Sequence, residues 1–186
     1  MLRMKEKYNQ EVLPKLKEKF GYRNIFSVPR ITKVVINTGF NPSIKDEKAQ
    51  QDIAHDLSLI AGQKPSAREA KKAISAFKIR EKMVVGLAVT LRRQRMYDFL
   101  DRLVHISLPR SRDFHGVPEG RVDQNGNLNI GLKEQIIFPE ISTESARSIF
   151  GLEISIVTTA KNREEGLELF KLLGFPISFK EKKGKQ

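Results

Sequence analysis

Thr90 and Arg92 set a hydroxyl and a guanidinium two residues apart at the end of an alternating run, Val84 to Leu91. One side of the run carries Val85, Leu87, Val89 and Leu91, and the other, after Val84, only Gly86, Ala88 and Thr90. A face built of such small residues is flat. A phosphate backbone can come close to it, and the hydroxyl and guanidinium can then bond phosphate oxygens or 2′-hydroxyls. Asn37, near the end of an earlier β-branched run, and Gln63, just past a helix stop, are uncharged donors suited to the same surface. The face alone does not separate this reading from one in which small residues accommodate a close-packed helix; the adjoining charge does. Lys64, Arg68, Lys71, Lys72, Lys78, Arg80, Lys82, Arg92, Arg93 and Arg95 share their stretch with only Glu69 and Glu81, so it holds +8 of the chain's +12. Apolar residues inside the stretch are spaced as in folded structure, and a folded basic surface points to a polyanion.

Within that stretch, Ala70 to Lys82 mixes cations with Phe77 and Ile79. The plain reading is a solvated basic loop. The functional one is a flexible finger in which Lys71, Lys72, Lys78 and Arg80 meet phosphates while an apolar residue stacks on a sugar or base. Arg110 and Arg112 form a second, weaker basic patch. Enzymatic chemistry finds little support: there is no phosphate-binding glycine loop, dinucleotide fingerprint or His-Glu-x-x-His, and His55, His105 and His115 lack metal-ligand spacing. Asp98 and Asp101, three apart on a helix among arginines, suit ion pairs better than acid–base work. No catalytic residue, metal or cofactor is therefore expected. From the residues alone, a nucleic-acid-processing enzyme and a protein-interaction adaptor with an incidental basic surface remain as alternatives to an RNA or DNA binder.

The elements that must position these groups are legible from periodicity. Met4, Tyr8, Val12, Leu16 and Phe20 predict a helix stopped by Gly21, with Pro14 kinking or dividing it near Leu13. Arg30 to Thr38 predicts a strand, Lys45 to Ala61 a helix closed by Gly62, and Lys64 to Ala73 an edge strand or loop. Helices are expected over Arg93 to Ile106 and from Asn162, an N-cap with Glu165 at its third helical position, to Leu173. Between the last two lie the aperiodic Leu108 to Asn127, an Asn125-Gly126 hairpin turn and a strand over Glu153 to Thr159. The fold class is α+β, a single two-layer domain over residues 1–179 with helices on one face of a mainly antiparallel sheet, followed by a basic tail at 180–186. With no cysteine, a disulfide framework is excluded, which fits a reducing cytoplasm. No apolar run approaches a membrane span, so no membrane partner is expected.

The ordered segments Gly62-Gln-Lys-Pro65, Phe77-Lys-Ile-Arg80, Val89-Thr-Leu-Arg92, Met96-Tyr-Asp-Phe-Leu-Asp-Arg-Leu103, Leu108-Pro-Arg-Ser-Arg-Asp-Phe114, Glu134-Gln-Ile-Ile-Phe-Pro-Glu-Ile141 and Ile156-Val-Thr-Thr-Ala160 closely resemble the bacterial-type ribosomal protein L5 family. The resemblance runs from the first helix to Phe175-Pro176. It implies a non-catalytic protein of the large ribosomal subunit in the cytoplasm, which binds 5S rRNA and helps seat it in the central protuberance. It implies contacts with 23S-type rRNA and other central-protuberance ribosomal proteins. On this pattern Asn37, Gln63, Thr90 and Arg92 meet 5S rRNA, and the Lys71 to Lys82 loop approaches P-site tRNA. The region with Arg110, Arg112 and His115 faces small-subunit ribosomal protein thirteen across an intersubunit bridge. The chain departs from the family at Phe40-Asn41, Glu69, Val122 to Leu128 and Phe150. Lys82 and Arg93 stand where the family usually has glycine.

Overall fold

The computed structural model describes residues 3–40, 47–111, 114–141 and 148–178. Arg112, Asn41, Lys45 and the lysine-rich end lie outside these residues. The fold is α+β, with a mainly antiparallel five-stranded sheet. Its strands are β1 (Ile31–Gly39), β2 (Ser66–Glu69), β3 (Val84–Leu91), β5 (Leu128–Leu132) and β6 (Leu152–Thr158), in the order β2-β3-β1-β6-β5. β4 (Val117–Pro118) pairs in parallel with β7 (Ile177–Ser178). The chain separates into two compact units. One comprises residues 1–34, 92–130 and 155–186, and the other residues 35–91 and 131–154.

In the first unit, helix α1 passes through Met4–Lys7, a π-helical turn at Tyr8–Val12, and Leu13–Phe20. Helix α3 repeats the pattern: Arg93–Arg102, a π turn at Leu103–Ser107, then Leu108–Arg110. In each case the π turn ends two residues before a proline, Pro14 or Pro109. Widening the helix just before the proline accommodates its ring and missing donor, so neither helix stops there. The helix expected to end at Ile106 therefore reaches Arg110, which takes three residues from the segment that looked aperiodic. Asp101 on α3 receives the backbone N–H of Met4 at 3.1 Å and so caps α1 rather than working in a carboxylate pair.

Helix α4 (Arg163–Leu173) begins at the expected cap: Asn162 Oδ1 accepts the Glu165 N–H at 2.9 Å, and Glu165 Oε2 accepts the Lys161 N–H at 2.9 Å. The Asn125-Gly126 turn is held by Asp123, whose carboxylate accepts from Asn125 N, Asn127 N and Asn127 Nδ2 at 2.8–2.9 Å. Gly126 is glycine for a packing reason as well. A Cβ there would lie 2.6 Å from Ala160 Cβ, and one on Gly166 would lie 2.5 Å from Gly126 Cα.

In the second unit, helix α2 (Glu47–Ala61) packs on β3. It contributes Ile53, Leu57 and Ile60 to a core with Ile36, Leu87, Val89, Leu91 and Phe138. Gln135 is fully buried, and its Oε1 receives the Phe150 N–H at 3.0 Å. Phe150 is itself buried, so the aromatic that departs from the family pattern serves this core.

Candidate nucleic-acid interface

Strand β3 carries the residues read as a flat face, and they are not equally open. Gly86 and Ala88 are buried, whereas Thr90 is half-buried. A Cβ on Gly86 would stand 2.5 Å from the Thr38 carbonyl oxygen, so this glycine is required by the close approach of the β1 backbone. Thr90 is the part of the face that reaches solvent. Gln63, at the end of α2, donates from Nε2 to the Thr90 carbonyl oxygen at 3.4 Å, which brings two of the four predicted donors together. Asn37 is exposed on β1, the neighbour of β3 in the sheet.

Beside Gln63 is an open hollow also lined by His55, Ser58, Lys64 and Pro65. Ser58 escaped the sequence reading, and His55 entered it only as a histidine off the apolar stripe without metal-ligand spacing. Their spacing of three, with Gly62 four further on, puts them on one helical face, which was the available signal. Ser58 Oγ donates to the His55 carbonyl at 2.7 Å, and His55 is exposed.

Arg92 follows β3 directly, exposed and in extended conformation (φ −139°, ψ 163°), as the N-cap of α3. The first turn of α3 contains no acid, and Arg93 and Arg95 are also exposed there. Cations at the positive end of a helix oppose its dipole, so this arrangement favours an anion from outside.

The segment from Ala70 to Met83 differs from the flexible finger expected. It continues the antiparallel β2–β3 hairpin through hydrogen bonds from Ala70 N to Met83 O (2.8 Å) and Lys82 N to Ala70 O (2.9 Å). It closes further out through reciprocal bonds between Ile74 and Ile79 at 2.9 and 3.1 Å. A 3₁₀ turn, Ser75–Phe77, forms the tip. Lys71, Lys72, Phe77, Lys78, Arg80 and Lys82 are all exposed on this ordered arm, Phe77 by 62%. Lys78 and Lys82 have left-handed backbone, φ 54° and 64°. β2 itself is exposed along its whole length, as an edge strand.

In the first unit, Arg110 ends α3 and is exposed, as is His115; Arg112 lies outside the described residues. Among the described residues no group of three His, Cys, Asp or Glu side chains could hold a metal, and no helix is long and apolar enough to cross a membrane. Asp98 accepts from Gln94 Nε2 at 2.9 Å on its own helix.

The exposed Asn37 amide, the half-buried Gln63 and Thr90, an exposed cationic arm and an acid-free helix start define a basic α+β protein whose surface suits a polyanion. Residues 24–80 match the family described as ribosomal protein L5, and residues 84–177 match the C-terminal part of that same ribosomal family. The large ribosomal subunit protein uL5 of Geotalea daltonii is 51% identical over 177 residues, covering 95% of this chain and 99% of that protein. Its namesake from Streptococcus thermophilus is 50% identical over 176 residues, covering 95% and 98%. The chain belongs to the ribosomal protein L5 family, as a structural, non-enzymatic component of the large ribosomal subunit in the cytoplasm.

Proposed function

We propose that this protein binds 5S rRNA through Asn37, Gln63, Thr90 and Arg92 and helps attach it in the central protuberance. The observation that carries the reading is the Gln63–Thr90 hydrogen bond, which groups two uncharged donors at the end of β3, immediately before the exposed Arg92. Polar side chains and a guanidinium at a strand end suit the phosphates and 2′-hydroxyls of a folded RNA. The arm from Lys71 to Lys82 approaches P-site tRNA, using Lys71, Lys72, Lys78, Arg80 and Lys82 on phosphates and Phe77 on a base or sugar. Arg110, Arg112 and His115 belong to the side that meets small-subunit ribosomal protein thirteen across an intersubunit bridge. Contacts with 23S-type rRNA and neighbouring central-protuberance proteins complete the seating.

The direct experiment is 5S rRNA affinity for Thr90→Ala and Arg92→Ala. Each is expected to weaken binding roughly tenfold, the loss of a charge-assisted or well-oriented hydrogen bond, while melting temperature holds. Unchanged affinity in both variants would move the interface elsewhere. Neutralising Lys71, Lys72, Lys78 and Arg80 is expected to spare isolated 5S rRNA binding and reduce tRNA contact in assembled ribosomes.

A further inference from the structure

Residues Ile25–Ser27 form a single 3₁₀ turn that displays two apolar side chains to water. Ile25 is 51% exposed and Phe26 82%, more than any other large apolar residue described. This is not a loose loop. Asn24 Oδ1 accepts the Phe26 N–H at 2.9 Å, Ser27 N donates to Asn24 O at 3.1 Å, and Val28 N donates to Ile25 O at 3.2 Å. Immediately afterwards Val28 and Pro29 are buried, and the Tyr8 hydroxyl donates to the Pro29 carbonyl at 3.1 Å. The turn is thus anchored on its C-terminal side while its aromatic tip stands clear of the core.

Its neighbours along the chain are cationic. Arg23 and Arg30 are exposed on either side of the turn and form no ion pair among the described residues. From Lys19 to Lys45 the sequence has Arg23, Arg30 and Lys33 between those two lysines and no acid at all. A ring presented on a hydrogen-bonded turn, with exposed arginines three residues before it and four after it in the chain, matches one chemistry closely, that of an unpaired nucleobase whose flanking phosphates are bonded by the arginines. An apolar pocket on a partner protein would accept the ring, but it would leave the two flanking arginines unused.

We propose that this turn is a separate RNA contact, in which Phe26 stacks on an unpaired base and Arg23 and Arg30 bond the adjoining phosphates. It uses none of the residues assigned above to 5S rRNA or tRNA, and it stands or falls without them. The base can belong to 5S rRNA or to the larger rRNA of the subunit, and the two are assayed separately.

The test replaces Phe26 by photoreactive p-benzoylphenylalanine in protein assembled into large subunits. Irradiation is expected to join residue 26 to RNA; an adduct with protein, or none, overturns the proposal. A second arm measures affinity for purified 5S rRNA and for protein-free large-subunit rRNA. For the RNA that takes the adduct, Phe26→Trp is expected to bind within twofold of the parent and Phe26→Leu about 5- to 100-fold more weakly, the range for base–aromatic stacking. Equal binding by Phe26→Leu overturns it. Melting temperatures of the variants check folding, and such an exposed ring is expected to leave them unchanged. If Phe26→Leu binds normally while Thr90→Ala fails on 5S rRNA, this inference falls and the 5S reading stands; the reverse pattern separates them the other way.

Discussion

Lys78, Lys82 and Arg93 are the non-glycine residues with positive φ among those described, and all three are cations. Left-handed backbone costs a residue bearing a Cβ roughly 1 to 2 kcal/mol, which is why glycine usually holds such positions. At positions 82 and 93, where the resemblance implies glycine, φ is 64° and 53°. Each of these cations is held at the expense of local strain. Lys82→Gly and Arg93→Gly are therefore expected to stabilise the fold by about 0.5 to 1 kcal/mol, raising the melting temperature by roughly 1 to 4 °C. Arg93→Gly is expected at the same time to lower 5S rRNA affinity several-fold, whereas Lys82→Gly is expected to leave that affinity alone. A lower melting temperature in both variants would show that strain is not what these residues carry. The sequence marked these positions through the family resemblance; the backbone angles add that both cations sit in the left-handed region that favours glycine.

At the scale of elements, the Asp123 clasp shows how one carboxylate organises a turn. Partial burial pushes its pKa up, but the Asn127 backbone and side chain and the Asn125 N–H outweigh this, and the net shift is downward. A folded-state pKa below the unfolded one gives stability that is fully present above the unfolded value, near pH 3.8, and is lost as pH falls through the folded value. Asp123→Asn is expected to cost about 1 to 2 kcal/mol at neutral pH, measured by denaturant unfolding, with the gap from the parent narrowing below about pH 4. A gap that stays constant from pH 7 to pH 3 would remove the carboxylate's charge from the account. This turn was legible beforehand through Asn125-Gly126, and so was the α4 start through Asn162 and Glu165, because caps and tight turns are local and written in adjacent residues. The passage of α3 through Pro109 was not legible, since proline reads as a stop unless a π turn has already widened the helix. The order in the Lys71 to Lys82 arm was hidden for a related reason. It rests on backbone pairs such as Ile74 with Ile79, which side-chain composition does not record. Gly86 was read correctly as small but assigned to an open face; its constraint is the Thr38 carbonyl, a contact between strands far apart in sequence.

At the scale of the molecule, the net charge of +12 is unevenly used. The second unit presents Asn37, Gln63 and Thr90 together with the cationic arm, and the first contributes the α3 start and the Phe26 turn. Recognition built this way combines a few oriented polar donors with many exposed cations, so affinity is expected to be strongly electrostatic while specificity rests on the donors. An interface with roughly four to six phosphate contacts predicts a slope of about −3 to −5 in log K against log salt. Between 50 and 200 mM monovalent salt, 5S rRNA affinity is then expected to fall about 50- to 2,000-fold. Titrations at four or five salt concentrations read the slope directly. Thr90→Ala removes a neutral hydroxyl, so it is expected to lower the line without tilting it, whereas Arg92→Ala removes one phosphate contact and is expected to reduce the slope by about 0.7 to 0.9. A slope near zero for the parent protein would mean that the exposed cations are not what holds the RNA. Parallel lines for parent and Arg92→Ala would move that arginine off the phosphate backbone while leaving the Gln63–Thr90 pair in place.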